Sequence, residues 1–369
     1  MTKRHAPILY AMPASPLRAV VIGCGHVAKA YGDQIATYDS LTIVGAYDLD
    51  AARAKEFTDK YGGKVYESLE AIADDPDIDL VVNLTIHHAH HAVISQMLNA
   101  GKPVHTEKPL ALTYAEAKEL VELADAKGVR LSSAPITYMG EAQQLAWKLI
   151  RDGVTGKLRL IYSEVNHGRI ESWHPNPVPF YDVGIMFDVG VYPLTMVTAL
   201  LGPAKSVKCS GKIIYPDRKT QDGTPFTPGA EDFMVAIIEF GGGETLRLTA
   251  NFYVKNSMQG SSMEFHGDAG SVYLGSFQGF GSPVKSAKFG DKDWTDHDHL
   301  KEPFQGIEFG RGVQDLAESI LADKPHRASG AQAAHVVEII EGMFTSMRED
   351  RTVELTGTFP KPAPMDWAM

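Results

Sequence analysis

The sequence predicts an α/β protein in two parts, a doubly wound parallel sheet followed by an α+β half built on a mostly antiparallel sheet. Three observations carry this expectation. From Leu17 to about residue 136, apolar strand-like runs alternate with amphipathic helical stretches, which is how βαβ units read. Beyond residue 137, long runs such as "KLRLIYSEVNHG", "EDFMVAIIEF" and "ETLRLTANFYV" succeed one another with turn signals between them, as antiparallel strands do. Finally, 369 residues with 44% hydrophobic content suffice for two packed domains.

Residues 1–16, "MTKRHAPILYAMPASP", read as a polar, proline-punctuated tail without the continuous apolar run of a secretory leader. "LRAVVIG" is a strand broken at Gly23 and Gly25, and "VAKAYGDQIA" a helix. "LTIVGAYD" is the second strand, "LDAARAKEFTDKYG" a helix stopped by glycine, and "DLVVNLTI" a buried strand. "HHAVISQMLNAG" is helical and "KPVHTE" a short strand. "TYAEAKELVELADAKG" is an amphipathic helix with Thr113 as N-cap and Gly128 as its stop, both residue types suited to those positions. "VRLSSA" completes a first domain over 17–136.

The second domain, 137–369, opens with the helix "EAQQLAWKLIRDG". Its strands include "AKSVKCSGKIIY", "SSMEFHG" and "SVYLGS", with "EFGGGETL" and "HGDAGSV" as hairpin turns. The helices "GVQDLAESILAD" and "GAQAAHVVEIIEGMFTSMRED" follow, and "DWTDHDH" reads as a solvated loop. No segment reaches the roughly 20 apolar residues that span a bilayer.

The net charge of −11 argues against nucleic acid or an anionic membrane as the main partner, since both demand clustered Lys and Arg. Cys24 and Cys209 are too few for a disulfide framework or a thiolate zinc site, and a reducing, cytoplasmic compartment fits them best.

The turn "GCGHVA" carries the first chemistry. Gly23 allows a tight turn, Gly25 lets a pyrophosphate approach the backbone, and the small Ala28 lets helix and strand pack closely. A helix N-terminus then faces the phosphates. Asp48 ends the next strand, where a carboxylate accepts both ribose hydroxyls. It would repel a 2′-phosphate, so NAD is favoured over NADP, although the nearby Arg53 keeps the second in play. In "NLTIHHAHH" the spacing of His87 and His91 invites a metal, but no matching Glu or Cys accompanies them. Thr85 and His87 are better placed against the dinucleotide, and no metal site is assigned.

"GCGHVA", "TIHHAH" and "TEKPLA", in this order, together with "HGDAG" and "KPHRASGAQAAHV", resemble the glucose-fructose oxidoreductase, inositol dehydrogenase and MocA family (Gfo/Idh/MocA). The resemblance implies an N-terminal Rossmann dinucleotide-binding domain plus a C-terminal α+β domain whose large, open, mostly antiparallel sheet forms a homodimer or homotetramer. It also implies a nicotinamide cofactor and a sugar, polyol or related carbohydrate as substrate. Carried over by position, the cofactor residues are Gly23, Gly25, His26, Val27, Asp48, Thr85, Ile86, His87, His90, Glu107 and Lys108, with a cis bond at Lys108-Pro109. "FDVGVYPLT" supplies Asp188 and Tyr192. Tyr192 stands where many members have histidine, and Thr195 where many have a further aspartate.

Oxidising a secondary alcohol requires its proton to leave as hydride departs. A tyrosine of ordinary pKa, about 10, is a poor base at neutral pH, and a nearby ammonium would lower it. The reading is therefore Tyr192 as general acid/base, Lys108 as its electrostatic partner and substrate anchor, and Asp188 as orienting residue. Lys108 as the proton carrier is the alternative. In "NHGRIESWHPNPVPFYDVGIMF", Trp173, Phe180 and Tyr181 offer faces for sugar C–H groups, and Arg169, His174 and Asn176 offer hydrogen bonds. Only Gly184 remains of the glycine cluster that precedes the aspartate motif in related sequences. His335 approaches the cleft or is structural. An NAD-dependent dehydrogenase is favoured over a glycoside-cleaving enzyme with tightly held NAD and over a ligand-sensing protein without turnover.

Overall fold

The computed structural model describes residues 15–369, so the expected tail lies, through residue 14, outside the described residues. The first sheet is parallel and six-stranded. Its strands are β1 (Leu17–Ile22), β2 (Leu41–Tyr47), β3 (Lys64–Val65), β4 (Leu80–Asn83), β5 (Val104–Thr106) and β6 (Leu131–Ser133), in the order β3-β2-β1-β4-β5-β6. The order reverses between β1 and β4, the switch point at which ligands bind such sheets. Helices α1 (Ala28–Ile35), α2 (Ala51–Tyr61), α3 (Leu69–Ala73), α4 (His90–Asn99) and α5 (Tyr114–Lys127) make the crossovers. α5 begins and ends as its sequence predicts: Thr113 accepts from the Glu116 N–H, and Gly128 is left-handed at φ 63°. α3 and β3 are too short to show a period and were not legible.

The second sheet has nine strands: β7 (Leu158–Asn166), β8 (Ala204–Lys212), β11 (Phe233–Phe240), β12 (Thr245–Asn251), β13 (Met263–Gly267), β14 (Gly270–Leu274), β15 (Val284–Lys288), β16 (Thr295–His297) and β17 (Val353–Glu354). A separate small hairpin, β9 (Arg218–Lys219) with β10 (Pro225–Phe226), stands apart. Both expected hairpins form, β11 with β12 and β13 with β14. The β7–β12 pair at the centre is parallel and the other pairs are antiparallel. Thr295–His297, expected as loop, is instead an edge strand on β15, and the His297 ring meets Ser286 Oγ at 2.8 Å.

Helices α6 (Glu141–Arg151), α8 (Val191–Leu201) and α10 (Gly330–Glu349) belong with this sheet. On its other face Lys208, Ile237, Arg247, Tyr162, Glu264 and Tyr273 stand side by side in register.

Helix α9 (Arg311–Leu321) corrects the simple division of the chain at residue 136. Its Val313, Leu316 and Ala317 share one core cluster with Ala19, Val21 and Tyr31 of the first domain. A Cβ on Gly312 would lie 2.6 Å from the His105 ring and from Ile136, so only glycine allows this approach.

The helical stretch Val178–Leu201, with mean hydropathy 1.6 over its most apolar window, is long and apolar enough to cross a bilayer, contrary to expectation, but 89% of that window is buried. It is a core element interrupted in the middle. α7 (Val178–Ile185) is broken at Gly184, φ 81°, and residues Met186–Gly190 form a wide π turn before α8. Such turns recur at functional sites.

Candidate active site

The cofactor half of the cleft grows from the β1–α1 turn. Gly23 has φ +91°, and a Cβ there would come within 2.7 Å of the Leu84 and Thr85 backbone. Gly25 differs: a Cβ would meet nothing within 4 Å, so its missing side chain leaves open space above the backbone. Behind it α1 starts with Val27 at the N-cap, no side-chain cap and no acid in its first turn, leaving its N–H groups for an anion. His26 is exposed beside them. Asp48 accepts from the Cys24 N–H at 2.7 Å and the Asp50 N–H at 2.8 Å, which fixes its carboxylate at the lip.

These residues border a cavity of about 570 Å³ shared by Gly23, Gly25, Asp48, Arg53, Thr85 and Ile86. Leu49 and Ile86, 95% and 71% exposed at its rim, offer apolar surface of the kind an adenine ring covers. Open backbone, a free helix N-terminus, an acid at the second strand end and apolar rims fit a dinucleotide.

Strand ends β4 and β5 build the other half. Thr85 donates its hydroxyl to Asn83 Oδ1 at 2.8 Å, and Asn83 Nδ2 donates to Thr106 Oγ1 at 3.0 Å. The Glu107 N–H donates to the Asn83 carbonyl at 2.9 Å, and Tyr31 of α1 donates its hydroxyl to Glu107 Oε1 at 2.8 Å. Lys108–Pro109 is cis, as is Ala134–Pro135. Lys108 Nζ then donates to Asp188 Oδ1 at 2.9 Å and to the Asp188 carbonyl at 2.6 Å. It lies 5.6 Å from the centre of the Tyr192 ring. The expected trio is therefore together, with Asp188 on the π turn and Tyr192 in the first turn of α8.

Its electrostatics correct one expectation. Burial pushes the Tyr192 phenol up; the Lys108 ammonium opposes this, but Glu107 and Asp188 add to burial, and the phenol settles at about 12 rather than below its ordinary value. Burial likewise works against the Lys108 ammonium, yet Asp188, then Tyr192 and Glu107, outweigh it and raise the lysine. In the protein by itself Tyr192 is thus a neutral proton donor beside a firmly charged Lys108.

The histidines divide. His87 in the 3₁₀ turn His87–Ala89 has a buried Nε2 without a partner, and burial first, then its basic neighbours, hold it down at about 4. It is a neutral ring facing the Lys108–Asp188 pair. His90, expected against the cofactor, is instead a brace: its Nδ1 meets the Pro109 carbonyl at 2.6 Å and its Nε2 the Thr85 carbonyl at 3.0 Å. His91 turns away to Glu119. Among the described residues no group of three or more His, Cys, Asp or Glu could hold a metal ion.

On the substrate side, Trp173 is half exposed with its ring 6.0 Å from that of His167. Arg169 lies against both rings of the edge-to-face Tyr215–Tyr253 pair. His174 bonds the backbone of Asn176 within its own loop, and Phe180 stacks edge-on against it at 4.9 Å. Tyr181 does not face a substrate. It is fully buried, gives its hydroxyl to Glu171 and accepts from Arg218 Nη1 at 2.7 Å. His335 is also structural, since it accepts the Ala204 N–H at 2.9 Å and meets Glu338 at 2.8 Å.

Sequence reasoning missed His167, whose half-buried ring feels Asp188, Lys108 and Lys255. It also missed Gln278, whose side chain favours the ionised Tyr192, and the support that Tyr31 gives Glu107. His167 ends a strand beside a motif glycine, which was a usable signal; Tyr31 and Gln278 carried none.

With this geometry in view, comparisons with known proteins agree. Residues 17–134 match the model of the oxidoreductase family with the NAD-binding Rossmann fold, and residues 143–273 match the GFO/IDH/MocA C-terminal domain. The trans-1,2-dihydrobenzene-1,2-diol dehydrogenase of Bos taurus is 28% identical over 207 residues, 54% of this chain and 57% of that protein. The chain thus matches little more than half the length of this curated relative. Levoglucosan dehydrogenase in complex with NADH and levoglucosan superposes with a TM-score of 0.80 at 20% identity, covering 92% of this chain and 99% of that one. Aldose-aldose oxidoreductase from Caulobacter crescentus complexed with glycerol gives 0.76 at 22% identity, covering 92% and 100%. These two likenesses show the fold, and the two family models, side by side along the chain, show that it belongs to the Gfo/Idh/MocA oxidoreductase family.

Proposed function

We propose that this protein is a dehydrogenase that moves a hydride between a nicotinamide cofactor, NAD rather than NADP, and a secondary hydroxyl or carbonyl of a sugar or polyol. The observation that carries the reading is the Lys108–Asp188 pair held under Tyr192, with one Lys108 donor left over, at the edge of a cleft whose other end suits a dinucleotide. Relatives named for a dihydrodiol, for levoglucosan and for aldoses support a polyhydroxylated substrate.

Bound nicotinamide supplies the hydride acceptor or donor. Lys108 holds the reacting oxygen and Asp188 fixes Lys108. In the direction of carbonyl reduction the neutral Tyr192 phenol donates its proton to that oxygen. By microscopic reversibility the phenolate takes the proton in alcohol oxidation, and the Lys108 ammonium makes that phenolate accessible. Asp48 favours NAD because a carboxylate accepts ribose hydroxyls and repels a 2′-phosphate. The exposed face of the nine-stranded sheet, with Leu160 and Ile237 41% and 39% exposed, supports a homodimer or homotetramer, which sedimentation would test.

Purified protein is offered NAD or NADP with a panel of sugars and inositols. Steady NADH formation, lost in Lys108→Ala and Tyr192→Phe while NAD binding persists, is the expected result. Retained NAD binding without turnover of any hydroxyl compound would reject it in favour of a sensing role. Sugar release from a glycoside without net NADH would select the glycoside-cleaving reading.

A further inference from the structure

We infer that the substrate side of this cleft takes a polyhydroxylated compound bearing an anionic group, with the Arg169 guanidinium as the anion's anchor and Lys255 beside it. The inference rests on the dehydrogenase reading and narrows its substrate.

The charge inventory points this way. The chain is acidic, with a net charge of −11, yet the substrate side gathers Lys108, Arg169 and Lys255 around the His167 ring, while Asp188, the carboxylate in contact with Lys108, is already bonded to it. Arg169 stands out among the arginines. Arg218, Arg247, Arg311 and Arg327 each pair with carboxylates. Among the described residues the Arg169 guanidinium makes neither an ion pair nor a hydrogen bond. It sits instead in the corner of the edge-to-face Tyr215–Tyr253 pair, with Cζ 4.6 Å from the Tyr215 ring centre and 4.4 Å from that of Tyr253. Its nitrogens are not sealed away, unlike Nε of Arg218 and of Arg247. A guanidinium seated against two rings, with no carboxylate of its own and with nitrogens that are not sealed away, is available for bidentate binding of a carboxylate or phosphate.

The backbone places this group near the chemistry. Gly168 has φ +77°, and a Cβ there would lie 2.9 Å from Lys255 Cδ. Glycine is therefore what lets the Lys255 stem cross the loop between His167 and Arg169. The His167 ring feels Asp188, Lys108 and Lys255 together, and the Arg169 Cα follows that of His167 within about 7.6 Å, two trans-peptide steps. An anion on Arg169 would then lie on the side of the cleft where Lys108 holds the hydroxyl.

The test is NAD reduction with a matched series: D-glucose and myo-inositol as neutral members, D-gluconate and D-glucuronate as carboxylates, D-glucose 6-phosphate as phosphate. At least one anionic member should exceed its neutral counterparts in kcat/KM by about tenfold or more, with the advantage shrinking as salt is added. Whether carboxylates or the phosphate lead tells which anion the site takes. Arg169→Gln should lower kcat/KM for the anionic member about 10–100-fold, mainly through KM, as expected for losing charge-assisted hydrogen bonds, and lower it clearly less for the neutral members. Lys255→Gln, on the exposed loop, should do the same more weakly without touching the Tyr215–Tyr253 ring pair.

Preference for neutral members, or an Arg169→Gln effect equal on both classes, would overturn the inference and leave the dehydrogenase reading standing. Absence of turnover throughout would be a failure of that reading instead. Quenching of tryptophan fluorescence by gluconate or glucose 6-phosphate, lost in Arg169→Gln and in Trp173→Phe, would then still support anion binding, and its absence would reject it.

Discussion

Two of the cations beneath the surface of this protein, Arg218 and Lys108, are surrounded differently by the chain. Arg218 is fully buried and enclosed by its own chain: Nη1 donates to Glu171 and Tyr181, and Nη2 to Asp232 and the Phe252 carbonyl. Lys108 keeps 17% of its side chain exposed and bonds only Asp188, through side chain and carbonyl, so one of its three donors is left for the cleft. A buried cation whose neighbours absorb its hydrogen bonds ties segments together. One with a spare donor facing open space is available for chemistry.

The comparison breaks most visibly at Arg218. Arg218→Met leaves Glu171 and Asp232 as buried carboxylates without their cation, and removal of one member of such a pair costs about 3–5 kcal/mol. The denaturation midpoint should fall accordingly, and loss of under about 1 kcal/mol would show that the network is not what holds the 167–181 loop. Lys108→Met should weight the two effects the other way, lowering kcat by about 10²–10³-fold, the usual cost of removing a donor aimed at a reacting oxygen, while lowering the midpoint less than Arg218→Met does, since only Asp188 loses its cation. A large shift in stability with modest loss of rate would place Lys108 in the class of Arg218.

Tyr192 sharpens the contrast, because its phenol at about 12 makes a signed prediction. A raised tyrosine is neutral across the working range, so its base form grows about tenfold per pH unit below that value. Alcohol oxidation should therefore accelerate with rising pH through the alkaline range, and carbonyl reduction should not. Tyr192→Phe should lower the rate by about 10²-fold and flatten the alkaline limb. If the limb survives in Tyr192→Phe, Lys108 itself carries the proton.

What was legible in the sequence follows from how local each signal is. Gly23, Gly25 and Asp48 announce themselves because a tight turn, an open backbone and a strand-end acid are properties of short segments. Glu107 and Lys108 share that property. Tyr181 was misread because composition reports an aromatic but not which way it points, and its partners Glu171, Arg218 and Asp232 are scattered along the chain. His90 was misread in the same way. The fall of α9 onto the first domain depends on a missing Cβ at Gly312 meeting His105, a contact no period reveals. Nor could the sequence weigh burial against the Lys108 charge at Tyr192, which is why the phenol was expected low and is high.

Asp48 offers the smallest effect and the finest distinction, since one carboxylate both braces the Gly23–Gly25 turn and faces the cavity. Its oxygens accept from the Cys24 and Asp50 N–H groups, bonds that Asn at this position would retain in part through its side-chain oxygen while losing the charge. Asp48→Asn should weaken NAD binding by about tenfold, the scale of one charge-assisted hydrogen bond, and raise relative affinity for NADP because repulsion of a 2′-phosphate is gone. Arg53, half tied to Asp50 at 3.4 Å, would then be free to meet that phosphate. Titration of both cofactors against wild type and Asp48→Asn decides it. If both affinities fall equally, Asp48 acts through the turn, as Arg218 acts through its loop; if only NAD is lost, Asp48 belongs with Lys108, on the side of the molecule that touches its ligand.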